Sequence, residues 1–312
     1  MTCNEADLKE GRIDSEKYGL FAGLTGLDIV YYQGWLPNEN KKSKTNNYHI
    51  YTGGPAANAA ITYAMLGGRA RLITCIGQSE IGEVIRKELL LYGVELIDCA
   101  ENQTIMPNIS SISVNTDNGS RTIWSGQQPY NQNLPDSLSG IMKDALFCLS
   151  DCNQHEIAIK VLQQAKKYGI PIVLDAGSWK EQTLEYLKLA DEVIASEDCR
   201  PPEDISGHKS NGMDFIDISL HSGVRNTAVT CGEKPIRWKS NRASGYIEPI
   251  SVTAKDTLGA GDIFHGAYCY FRYVKKMPFP DSLKHASKVA SFSVEYFGPR
   301  EGVIKYHQTN MI

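Results

Sequence analysis

The chain has 312 residues, 42% of them hydrophobic, enough for one large α/β domain or two smaller ones around a buried core. Its 32 Lys and Arg against 36 Asp and Glu give a net charge of −4, so it lacks the basic footprint that nucleic acid or an anionic membrane demands. Residues 1–18 lack the apolar run of a signal peptide and no segment approaches the roughly eighteen apolar residues of a membrane span, so the expectation is a soluble, cytoplasmic protein with neither partner.

Residues 1–17 read as a short frayed extension before a single domain over 18–312. The run Leu20-Phe21-Ala22-Gly23, continuing to Gly26-Leu27-Asp28-Ile29-Val30, predicts a buried first strand breaking into a glycine turn. Ligands of open α/β sheets collect outside the carboxyl ends of strands, so Asp28 reads either as a ligand contact or as a turn or cap residue. Between residues 31 and 52, Tyr31, Tyr32, Trp35, Tyr48, Ile50 and Tyr51 are interleaved with polar residues around a loop at 38–47. That pattern predicts two strands outside the main core. A second pair is predicted at 109–114 and 121–124, joined by the turn Asp117-Asn118-Gly119. Arg121 there is either a solvated side chain or a planar fork of donors for phosphate or an acidic group.

Gly53-Gly54 enters a small-residue helix over 56–66. A flexible turn before a packing helix explains the alanines but not Asn58, whose donor and acceptor suit a polyol, while the glycines let a ring lie against the backbone. A strand over 70–77 and an amphipathic helix over 81–92 follow. From residue 137 strands (145–149, 171–174, 192–195, 227–230) alternate with helices (155–168, 183–189, 214–221), which predicts a parallel sheet covered on both faces. Polar residues mark the strand ends: Asp175 and Lys180, then Ser196, Glu197 and Asp198, then Thr230 and Gly232. Each acidic residue alone reads equally as a solvated loop charge. A last helix is predicted over 281–296, opened by Pro280 and Asp281 and ended by Gly298. The eight cysteines, without a Cys-x-x-Cys pair, read as small buried hydrophobes in a reducing compartment.

The most informative stretch is Asp256-Thr257-Leu258-Gly259-Ala260-Gly261-Asp262, followed by a helix from 263 to about 273 with apolar period at Ile263, Phe264, Ala267, Tyr268 and Phe271. A helix N-terminus presents unpartnered N–H groups and positive dipole, and the glycines let an anion approach them. Asp262 either stabilises the first turn or takes a proton from a hydroxyl attacking a phosphoryl group held by those amides. No P-loop motif occurs, and no Gly-x-Gly-x-x-Gly follows the first strand, which argues against dinucleotide chemistry.

This heptapeptide resembles the C-terminal signature of the ribokinase-like, or phosphofructokinase-B (PfkB), carbohydrate kinases. Gly53-Gly54-Pro55-Ala56-Ala57-Asn58, with Leu66-Gly67-Gly68 and Gly77 beyond it, resembles the family's second signature, and the likeness runs from about residue 20 to about 304. The stretch Gly119-Ser120-Arg121-Thr122-Ile123 is similar to a hairpin of ketohexokinases. The resemblance implies a three-layer αβα fold with a mostly parallel sheet. It also implies a small β-sheet lid, from about 31–52 and 105–128, that covers the sugar and pairs two subunits. The implied activity is transfer of the ATP γ-phosphoryl group to a sugar hydroxyl, leaning towards a ketose. A nucleoside kinase, or an inactive sugar- or nucleotide-binding module, is the alternative. By the same resemblance Asp28, Gly53, Gly54, Asn58 and Arg121 hold the sugar, and Asp262 is the base beside an anion hole of Gly259, Ala260 and Gly261. Lys180, Ser196, Thr230 and Gly232, with Gly259 and Gly261, border ATP. Mg²⁺ accompanies ATP, and the family admits a monovalent cation such as K⁺. Ser196 and Cys199 stand where many relatives carry an Asn-x-x-Glu for the magnesium waters, which leaves Glu197 and Asp198 as candidate ligands. Ser79 and Glu80 stand where an Asp is usual, and Pro235 replaces a glycine beside the nucleotide.

Overall fold

The computed structural model describes residues 17–36, 39–126, 134, 138–206 and 214–309. The expected extension up to residue 16, and residues 37–38 and 127–128 of the two expected lid segments, lie outside the described residues. Strands β1 (Tyr18–Ala22), β4 (Ala70–Thr74), β5 (Val94–Asp98), β8 (Ala145–Ser150), β9 (Ile172–Ala176), β10 (Glu192–Ser196) and β11 (Asn226–Cys231) pair in parallel. The edge strands β12 (Lys234–Ser240) and β13 (Ser244–Ile247) add antiparallel. The sheet order is β13-β12-β11-β10-β9-β8-β1-β4-β5.

These strands read as continuous apolar runs because both faces are buried. Phe21, Leu72, Leu149, Val173 and Ile194 pack into one core with α1 (Pro55–Met65), α2 (Glu80–Leu91), α8 (Ala260–Cys269), α9 (Phe279–Ser293) and α10 (Gly298–Thr309). Their neighbours Leu20, Ile73, Cys148, Leu174 and Val193 enter a second core with α4 (His155–Lys167), α5 (Thr183–Leu189) and α7 (Phe215–His221). Short α3 (Ser139–Met142) and α6 (Glu203–Ser206) complete the helices among the described residues, and none of these is long and apolar enough to cross a membrane.

A separate four-stranded sheet, in the order β3-β2-β6-β7, contains β2 (Gly26–Gln33), β3 (Tyr48–Gly53), β6 (Asn108–Asn115) and β7 (Arg121–Gly126). Both expected strand pairs outside the core are therefore present and share one sheet, with β2 and β6 parallel. Val30, Tyr32, Ile112 and Val114 bury one face of it against Leu258 of the heptapeptide.

Four sequence expectations are corrected. The first strand is two: β1 ends at Ala22, and Gly23 begins the turn through which the chain leaves the main sheet for β2. Strand β5 directly after α2, and the β12–β13 hairpin, add three strands that were not expected. The helix that follows Asp262 changes at Tyr270–Val274 to a π-helical turn. Finally, 281–296 is not the last helix, because Gly298 and Pro299 open α10 instead of ending the helical region.

Candidate active site

The heptapeptide forms the turn into α8. Gly259 sits in the left-handed region at φ 70°, which favours glycine, and no side chain caps the helix. The N–H of Ile263 bonds to Gly259 O at 2.8 Å and that of Ala260 makes a long 3.3 Å contact to Thr257 O, leaving the amides of Gly261 and Asp262 without an intrahelical partner. Gly261 is exposed and Asp262 half-buried, so neither is sealed in the packed core. Burial pushes the Asp262 carboxyl up to about 7; the charge of Asp175 adds to this, while a hydrogen bond from Asn58 and the nearby His265 oppose it. Asp256 anchors the other end of the turn. Its Oδ1 accepts from Leu258 N at 2.8 Å, and its Oδ2 accepts from Tyr32 Oη at 2.9 Å and Gly298 N at 2.8 Å.

The di-glycine turn approaches the same point from β3. Gly54 has φ 96°, and a Cβ on Gly53 would lie 2.2 Å from the Asp28 carboxyl, so a side chain at 53 would displace that acid. Asp28 is not at the end of a core strand, as its position after an apolar run suggested; it lies within β2 of the small sheet, in register with Tyr51 and Ser110. Burial raises its carboxyl to about 6 despite a hydrogen bond from Ser110 and the charge of Arg300. Asn58, in the first turn of α1, donates Nδ2 to Asp262 Oδ2 at 2.8 Å. This contact depends on the close approach of α1 and α8, where a Cβ on Gly266 would lie 2.3 Å from Ala59 O. Asp28, Gly53, Gly54, Asn58, Asp262 and the turn at 259–261 thus converge.

Arg121 does not join them. It is exposed on β7 and donates Nη1 to Thr257 Oγ1 at 2.9 Å, while Thr257 Oγ1 donates to Gly119 O at 3.0 Å. Its observed role is to tie the hairpin to the heptapeptide.

On the other side of Asp262 the ends of β9, β10 and β11 are neighbours in the sheet. Lys180 lines a cleft with Asp175, Ser178 and Thr183, and its Nζ donates to Asp151 O at 3.3 Å. Ser196 Oγ accepts from Asp198 N at 3.2 Å, Thr230 Oγ1 donates to Ala195 O at 3.2 Å, and Gly232 turns the chain into β12. Glu197 lies 3.8 Å from Lys234, and Asp198 is exposed. Among the described residues no three His, Cys, Asp or Glu side chains converge as a metal cage.

Several contributors carried no assigned role in the sequence reading. Asp151, buried at the end of β8, accepts from Leu24 N at 2.9 Å and Ala56 N at 3.0 Å, fixing the start of α1. Asn108 is buried at the head of β6 in register with Gly26, and its Oδ1 has no partner among the described residues. Arg300 is buried at the start of α10. Ser79, standing where an acid was usual, caps α2 by accepting from Gly82 N at 3.0 Å.

With this geometry in view, the pfkB family carbohydrate kinase profile matches residues 17–305. The chain is 25% identical to the deoxyribokinase of Salmonella typhi over 297 residues, covering 92% of this chain and 96% of that protein. The structure of ribokinase from Giardia lamblia superposes with a TM-score of 0.74 at 17% identity, covering 93% of this chain and 99% of that one. Arabidopsis thaliana ribokinase complexed with ribose and ATP gives a TM-score of 0.69 at 21% identity, with 93% and 98% covered.

Proposed function

The chain belongs to the pfkB family of carbohydrate kinases, and from that premise we propose that it transfers the γ-phosphoryl group of ATP to a sugar hydroxyl, with Asp262 as general base. The observation that carries this reading is the half-buried Asp262 carboxylate, held by Asn58 at 2.8 Å and set beside the uncapped amides of α8. An acceptor hydroxyl between Asp28 and Asp262 gives its proton to Asp262 as it attacks phosphorus. Meanwhile the turn at 259–261, through the free amides of Gly261 and Asp262 at the start of α8, meets the charge on the transferring group. Asp28 accepts hydrogen bonds from sugar hydroxyls, and Asn108 Oδ1 accepts another from a hydroxyl reaching the base of the small sheet. Lys180, Ser196, Thr230 and Gly232 border the nucleotide. Glu197 and Asp198 are the residues that would hold the waters of a Mg²⁺ bound with ATP, which would supply neutralising charge to the phosphates.

Exposed aromatic side chains on the outer face of the small sheet support a homodimer through it: Tyr31 pairs in register with Tyr48, which is 57% exposed, and Trp124, opposite Ser111, is 60% exposed. Sedimentation is expected to give twice the chain mass.

The names of the relatives put pentoses beside ketoses as acceptors. The test is ADP release with MgATP across ribose, deoxyribose, fructose and a nucleoside series, in Na⁺ and in K⁺. A sugar-dependent signal is expected. Turnover confined to nucleosides, or binding without turnover across the series, would overturn it.

A further inference from the structure

Arg300 is 4% exposed and its guanidinium is used on every side. Nε donates to Glu88 Oε1 at 3.1 Å, Nη2 to Thr52 O at 2.6 Å, and Nη1 to Asn58 Oδ1 at 2.8 Å. Glu88 spends its other oxygen on Thr52 N, and the Tyr92 ring lies 5.7 Å from the guanidinium carbon. The side chain is therefore clamped between α1, α2 and β3.

A guanidinium carries donors and no acceptor, so the atom of Asn58 that meets it must be the carbonyl oxygen. With that end taken, the NH₂ end faces Asp262, 2.8 Å from Oδ2. Turned the other way, the amide would set its oxygen against a carboxylate and its NH₂ against a cation.

We propose that Arg300 is a positioning residue for phosphoryl transfer: by fixing which end of Asn58 faces the base, it holds the Asp262 carboxylate where an acceptor hydroxyl meets it. The inference rests on the kinase reading above. It gives the buried charge of Arg300 a task that its ion pair with Glu88 does not explain, since a pair serving only the packing of α10 need not touch Asn58. The charged and titratable groups around Arg300 are Glu88 on α2, Tyr92 at its C-terminal cap, Asp28 on β2 and Tyr51 on β3; those around Asp262 are Asp175 on β9, Asp28, and His265 on its own helix.

Arg300→Gln is expected to lower kcat about 10- to 100-fold and leave KM for MgATP within about twofold, because a misplaced base spoils alignment and not nucleotide binding. The rising limb of kcat/KM against pH is expected to move upward by about half a unit or more as the amide loses its fixed orientation. In an Asn58→Ala background, with no amide to orient, the same change is expected to cost less than about threefold. Arg300→Lys, which keeps a donor-only cation facing Glu88, is expected to restore most of kcat. An unchanged pH limb in Arg300→Gln, or an undiminished loss in the Asn58→Ala background, would overturn the proposal. A measurement that needs neither variant nor turnover follows the Asn58 side-chain NH₂ resonances of the parent protein by NMR as Asp262 titrates. They are expected to move with its ionisation, and resonances that stay still would also overturn the proposal. A parent protein that turns over no acceptor while these resonances respond would sink the kinase reading alone.

Discussion

Asp262 is the residue on which the chemistry turns, and its surroundings set the pH at which it works. A general base must be ionised, and burial with the Asp175 charge raises this carboxyl to about 7. For the free enzyme kcat/KM is therefore expected to rise with pH through about 7 and level off above it. A profile already flat from pH 5 would contradict the assignment. Asp28, raised to about 6, is ionised over that plateau, so Asp28→Asn is expected to raise KM for the sugar about tenfold or more with a smaller effect on KM for MgATP. Asp262 and Asn58 were legible because each sits inside a compact motif. Arg300, Asp151 and Asn108 were not, because their partners lie far away in sequence: the Arg300–Asn58 bond spans 242 positions. No local spacing announces such a contact.

The elements that carry Asn58 and Asp262 meet through small residues. A Cβ on Gly266 would lie 2.3 Å from the backbone oxygen of Ala59, which cannot swing aside as a side chain would. Gly266→Ala is expected to destabilise the fold by about 1–3 kcal/mol and, by pushing α8 from α1, to lower kcat about tenfold or more. KM for MgATP should hold, because the nucleotide residues stand on the ends of β9–β11. Thermal unfolding and steady-state kinetics on one preparation check this. Alternation of strand and helix made the parallel sheet legible after residue 137, yet the same reasoning fused β1 with β2. An apolar run reports burial and not which sheet is joined, and the break at Gly23 looks like any glycine turn. Helix α10 was missed because Gly298 is a stop signal for the helix before it, while Pro299 belongs equally to the first turn of the next.

The whole molecule concentrates disfavoured negative charge around Asp175 and Asp262, drawing on both sheets. Asp28 and Asp151 are raised to about 6 and Asp262 to about 7, against 3.8 for a free carboxyl. A folded-state value above the unfolded one means stability that is fully present below about pH 4 from these groups and is lost as pH rises through 6 to 7. The Tm of the ligand-free protein is thus expected to fall between pH 5 and pH 8. Asp262→Asn is expected to raise it by ~2–4 °C at pH 8 and by about a third of that at pH 5, as a site shaped for function costs stability. The same variant gives the most direct measurement: steady-state turnover of folded Asp262→Asn with MgATP and the best sugar acceptor. The account predicts kcat lower by about 10² to 10⁴ with KM for MgATP little changed; turnover within about tenfold of the parent would contradict it.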